Sequence, residues 1–204
     1  DAIFSYRILT FVGLSLGLAS SIVALNVKFY MLFAILILLT CLLYSYSRTY
    51  KKKLVLGNII VSFSVAIAVF LPYLFEILYL SENLLLLSVC KEIVITIVYF
   101  VLIYTIFAFL LTFIREIVKD AEDVDGDGRT HCRTIPVVYG ISKTKAILYI
   151  FVLLLSILLL AYGYILFKME LYVTLAIIML VLLCLLFLVV KIYKANGKRD
   201  FHSL

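Results

Sequence analysis

An all-α bundle of membrane-spanning helices is the fold class this chain predicts. Three observations carry it: 66% of the 204 residues are hydrophobic, the mean hydropathy is +1.24, and the apolar residues gather into runs of about bilayer length. A soluble domain is roughly half apolar, and a helix needs about 20 apolar residues to cross the hydrocarbon core. Alternating ten-residue segments, the mark of a membrane barrel, are not visible, so a polytopic transmembrane helical bundle with six helices is expected.

The six runs lie near 8–25, 29–46, 59–80, 93–114, 146–167 and 171–190, and the whole of 1–204 reads as a single transmembrane domain. The first residues lack the charged start and small-residue cleavage site of a signal peptide. Links at 26–28 and 168–170 are short enough to force neighbouring helices antiparallel. Pro72 falls inside the third run, where packing geometry explains it. The 81–92 stretch opens with Ser81-Glu-Asn and turns apolar, as a small external helix would. The remaining mass sits in two loops, 47–58 and 115–145, and long loops on a compact membrane protein tend to carry function.

The basic residues orient these helices. If the runs alternate direction, 15 of the 18 Lys and Arg fall on one side, and only Lys28, Lys91 and Lys168 on the other. The positive-inside rule makes the crowded side, with both long loops, cytoplasmic. The net charge of +6 thus reflects topology and calls for no nucleic-acid partner. Cys41, Cys90, Cys132 and Cys184 are scattered, with no Cys-x-x-Cys pair, and read as small apolar residues; His131 beside Cys132 lacks the spacing of a metal motif.

The chemistry concentrates at 115–127, Arg-Glu-Ile-Val-Lys-Asp-Ala-Glu-Asp-Val-Asp-Gly-Asp, which holds six of the twelve carboxylates directly after an apolar run. One Asp at the centre of a membrane helix costs about 2.5–3.5 kcal/mol, so six must meet water, a polar cavity or cations. If the fourth helix continues past the membrane surface, Asp120, Asp123 and Asp127 stand at i, i+3 and i+7 on one face, a row of carboxylates about 10 Å long. Such hard oxygen donors suit magnesium, which keeps waters and is completed by substrate phosphates. A second reading is a calcium loop, since Asp123-Val-Asp-Gly-Asp-Gly begins like an EF-hand; that pattern fails at Thr134, where a bidentate Glu is required. A third is a solvated loop with Asp-Gly turns. On the same membrane side, Arg48, Lys51, Lys52 and Lys53 precede Gly57-Asn58, a cationic cluster suited to a diphosphate or to simple membrane anchoring.

The run Arg115-Glu-Ile-Val-Lys-Asp-Ala-Glu-Asp-Val-Asp-Gly-Asp, followed by Arg133-Thr-Ile-Pro, resembles the second aspartate-rich motif of the UbiA superfamily of intramembrane prenyltransferases. The opening is most similar to the superfamily's archaeal branch, the digeranylgeranylglyceryl phosphate synthases. The segment from Leu43-Tyr-Ser-Tyr through Lys51-Lys52 to Gly57-Asn58 is similar to that family's basic loop. The resemblance implies a magnesium-dependent transfer of a geranylgeranyl group from its diphosphate to geranylgeranylglyceryl phosphate in ether-lipid synthesis. It implies that Asp120, Asp123 and Asp127 are catalytic and hold metal, while Lys51, Lys52, Asn58, Arg115, Lys119 and Arg133 bind substrate. The implied partners are an isoprenoid diphosphate, a lipid-like acceptor and membrane lipids. Prenylation of an aromatic quinone precursor is an alternative, as is a non-catalytic transporter or channel subunit with a cation-binding loop. Transporters place ionisable groups near the midplane, where this chain has almost none, Glu76 coming nearest. The family carries two aspartate motifs and about nine helices. The single motif and six helices here lead to the expectation that the first two helices, with motif one, and the last helix are missing, and that this part alone binds one metal poorly and does not turn over.

Overall fold

The computed structural model describes residues 2–26, 29–48, 50, 53–195 and 197–204. Its elements are helices throughout, eight among the described residues: α1 (Ala2–Asn26), α2 (Tyr30–Arg48), α3 (Leu56–Ser81), α4 (Leu84–Glu122), α5 (Val124–Arg129), α6 (Ile135–Lys168), α7 (Tyr172–Lys194) and α8 (Lys198–His202). Helices α3, α4, α6 and α7 are long and apolar enough to span a bilayer, and α1 and α2 contribute shorter apolar stretches at Phe11–Asn26 and Tyr30–Tyr46. The chain is an integral membrane protein. The 81–92 stretch, expected to form a small external helix, is divided instead: Ser81 ends α3 and Leu84 begins α4, because nothing between Leu84 and Ile93 breaks the backbone ladder.

The chain divides into two compact units, residues 1–51 with 59–109 and residues 52–58 with 110–204. In the first, α1 and α2 pack together over Ala24, Phe29 and Leu32, joined by Leu74 of α3. Gly17 permits the close approach, since a Cβ there would stand 2.5 Å from Thr40 Oγ1. Small hydroxyls are satisfied within their own helices, Ser21 Oγ donating to the Gly17 carbonyl at 2.7 Å and Thr40 Oγ1 to that of Leu36 at 2.8 Å, as an apolar solvent demands. Glu76 lines an apolar cavity of about 340 Å³ with Tyr73, Ile77, Cys90 and Ile97.

In the second unit α6 packs along α7, burying Leu148, Val152, Leu155, Leu159 and Leu166 at the three- and four-residue spacing of one helical face. Phe113 of α4 meets Phe151 with ring centroids 4.7 Å apart. Helix α6 bends near its start at Gly140, whose φ of 79° and ψ of 163° belong to a region essentially reserved for glycine. At 39 residues, α4 is about 58 Å long against a hydrocarbon core of about 30 Å, so it projects well past the membrane. That overshoot is what delivers the acidic residues to a polar medium.

Candidate acidic site at the end of helix α4

The acidic segment is built from the last turns of α4, a bend at Asp123 and the short helix α5. Helix α4 ends at Glu122, and the bonding stays helical on either side of the bend, with Asp123 N–H bonded to the Lys119 carbonyl at 3.0 Å and Asp127 N–H to the Asp123 carbonyl at 2.9 Å. Asp125 and Asp127 in the first turn of α5 complement its dipole, partly compensating two glycines that weaken the helix. The segment then closes at Thr130: its hydroxyl donates to the Gly126 carbonyl at 3.1 Å, and Cys132 N–H takes the Asp127 carbonyl at 2.9 Å. The Asp123–Gly128 stretch that begins like a calcium loop is therefore mostly a turn of helix, α5 opening at Val124, and Thr134 holds the position where a calcium loop needs its bidentate Glu.

Asp120 is the centre of the arrangement. Asn58, buried at the start of α3, donates from Nδ2 to Asp120 Oδ2 at 2.8 Å across 62 residues of sequence. Burial lifts the Asp120 carboxyl from 3.8 to about 6; the Asn58 hydrogen bond pulls it down, the charges of Asp127 and Glu116 push it up, and Lys119 pulls it down. Asn58, expected to bind substrate, is thus a partner of the candidate metal ligand. Glu116, which the sequence reading passed over, is buried at 5% exposure, with Arg115 Nη1 2.8 Å from one oxygen and Lys119 Nζ 3.9 Å from the other. Its signal was available, since Glu116 lies four residues before Asp120 and on the same helical face.

Asp123 faces elsewhere. Its Oδ1 lies 3.7 Å from Lys198 Nζ, and both side chains are exposed. The structure therefore groups Asp120 with Asp127 electrostatically and gives Asp123 a separate cationic neighbour. Among the described residues no three His, Cys, Asp or Glu side chains converge to hold a metal ion. Arg115 and Arg133 are exposed, the former with 72% of its side chain accessible. Lys51 and Lys52 lie outside the described residues. Thr134, at the start of α6, buries a hydroxyl with no hydrogen-bond partner among the described residues.

These features define the class: a polytopic helical membrane protein carrying a carboxylate cluster at the projecting end of one long helix. The chain belongs to the UbiA prenyltransferase family, whose model matches residues 3–204. Its relatives include digeranylgeranylglyceryl phosphate synthase of Saccharolobus solfataricus, 34% identical over 142 residues, covering 70% of this chain and 43% of that protein. The protein of the same name from Methanothermobacter thermautotrophicus is 26% identical over 156 residues, covering 76% of this chain and 44% of its own. That of Methanosphaera stadtmanae is 51% identical over a 37-residue stretch, which is 18% of this chain and 14% of the relative. The chain spans less than half the length of these curated relatives. No solved structure matches it at a significant level.

Proposed function

We propose that the chain carries one acidic half-site of an intramembrane prenyltransferase that moves a geranylgeranyl group from its diphosphate to geranylgeranylglyceryl phosphate in ether-lipid synthesis. The observation that supports this most directly is Asp120: a largely buried carboxyl, held by Asn58 at 2.8 Å, whose charge is disfavoured by burial and by two neighbouring carboxylates. A cation relieves all three effects at once. The donors fit magnesium in kind, since that ion takes one or two carboxylates, keeps waters and accepts phosphate oxygens, and no cage of three protein ligands is needed.

Asp120 and Asp127 would hold such an ion, with Asp123 joining once it leaves Lys198. When bound, magnesium supplies charge neutralisation to the departing diphosphate. The protein's own residues do the rest. Asn58 keeps Asp120 turned in one direction. Glu116, held by Arg115 and Lys119, adds negative potential without exposing its own carboxylate. Arg115, Lys119, Arg133, Lys51 and Lys52 supply cationic groups for the phosphates of donor and acceptor. The crowding of Lys and Arg on this side of the helices supports a cytoplasmic site.

The test supplies magnesium, geranylgeranyl diphosphate and either geranylgeranylglyceryl phosphate or hydroxybenzoate to the full-length protein. Product from the glycerol phosphate acceptor is expected, and transfer to the aromatic acceptor alone rejects the lipid assignment. Asp123→Ala combined with Asp127→Ala abolishes transfer, and undiminished turnover rejects the metal role of these residues.

A further inference from the structure

Three consecutive residues of the acidic segment are each met by the stretch that follows α7. Ala121 packs against Phe201, and both are 1% exposed, with Ala195, Val118, Ile141 and Leu204 around them. Glu122 Oε1 lies 2.8 Å from His202 Nδ1. Asp123 Oδ1 lies 3.7 Å from Lys198 Nζ. The stretch is itself anchored: Gly197 N–H donates to Asp200 Oδ2 at 3.0 Å, and Lys191 Nζ of α7 donates to the Ser203 carbonyl. On another face of the same turn, Asp120 meets Asn58. The end of α4 is thus held from two sides.

We propose that Ala195 and residues 197–204 form a positioning strap for the acidic site, with Phe201 as its positioning residue. The physical need is plain. A helix end beyond the membrane frays, because its last carbonyls have no partners within the helix. A side-chain oxygen sits roughly 5–6 Å from the helix axis, so a 20° rotation of the last turn moves it by about 2 Å. Metal ligation tolerates about 0.2 Å in distance. Phe201 fills the space against Ala121 that such a rotation would need, and the His202 contact at Glu122 opposes fraying. A surface ion pair as exposed as Lys198–Asp123 adds little holding power, so the buried ring carries most of the effect.

This inference rests on the metal reading of Asp120, and the experiment separates the two. In the full-length protein in detergent, manganese affinity is read by electron paramagnetic resonance, and amide hydrogen exchange is followed over 116–123. Phe201→Ala is expected to weaken manganese binding about tenfold, the size typical of losing a partner that orients a ligand. It should also speed exchange over 116–123, and Phe201→Leu should restore most of both. Wild-type affinity in Phe201→Ala, where Asp120→Asn has lost binding, overturns the strap. Wild-type affinity in Asp120→Asn overturns the metal reading instead, and exchange then decides the strap alone, an unchanged rate rejecting it. If Phe201→Ala does not fold, His202→Ala decides: faster exchange with about threefold weaker manganese binding supports the strap, and wild-type values for both reject it.

Discussion

Replacing Asn58 with leucine removes the amide that donates to Asp120 Oδ2 at 2.8 Å while keeping an apolar body of similar size at the start of α3. A hydrogen bond to an ionised carboxylate contributes about 1.5–3 kcal/mol, and about 1.4 kcal/mol corresponds to one pKa unit. Asp120, already raised from 3.8 to about 6 by burial above all, should therefore rise by about one to two further units in the variant, to roughly 7–8. The sign of the stability effect follows from linkage. A carboxyl whose folded value exceeds its unfolded value contributes stability that is fully present below the unfolded value, near 3.8, and is lost as pH rises through the folded value, near 6. In the metal-free wild type this loss falls between about pH 4 and 6, and in Asn58→Leu it extends to about pH 7–8. The variant should consequently be destabilised more at pH 8 than at pH 5. Infrared difference spectra across a pH titration follow the protonated carboxyl band directly, with Asp120→Asn identifying it. A midpoint in Asn58→Leu equal to or below that of the wild type refutes the role assigned to the Asn58 amide.

Two further perturbations act on Asp127 and on the bend in α6. Asp127→Asn removes a like charge acting on Asp120, so the Asp120 midpoint in the same titration should fall, even as metal-dependent transfer is lost. Gly140→Ala places a side chain at φ 79° and ψ 163°; nothing lies within 4 Å of the added Cβ, so the cost is conformational alone, about 1–3 kcal/mol. Thermal unfolding in detergent should report it, and an unchanged melting temperature argues against the bend in α6.

Much of the architecture was legible because membrane helices announce themselves locally. Length and hydropathy placed all six apolar runs, and each coincides with one helix of the structure to within a residue at its start or lies inside it. Boundaries were less legible at the start of α4, which begins at Leu84 and absorbs most of the stretch expected to be a separate external helix. The acidic row was visible from spacing, yet its membership was not. A period of 3.6 residues places Glu116, Asp120, Asp123 and Asp127 near one another without saying which of them a partner from elsewhere will engage. Glu116 turned out buried between Arg115 and Lys119, and Asp123 turned toward Lys198.

By itself the sequence determined that this chain enters a membrane, and that its carboxylates stand where α4 leaves the apolar phase. Both follow from the transfer energies of side chains taken one at a time, which depend on nearby residues alone. Only the tertiary structure decided that Asn58, 62 residues away, holds Asp120, and that Phe201, His202 and Lys198 hold the next three positions. Those partners are chosen by packing between segments distant in the chain, where a ring 1% exposed or an amide 2.8 Å from a carboxylate has no counterpart in any local pattern of residues.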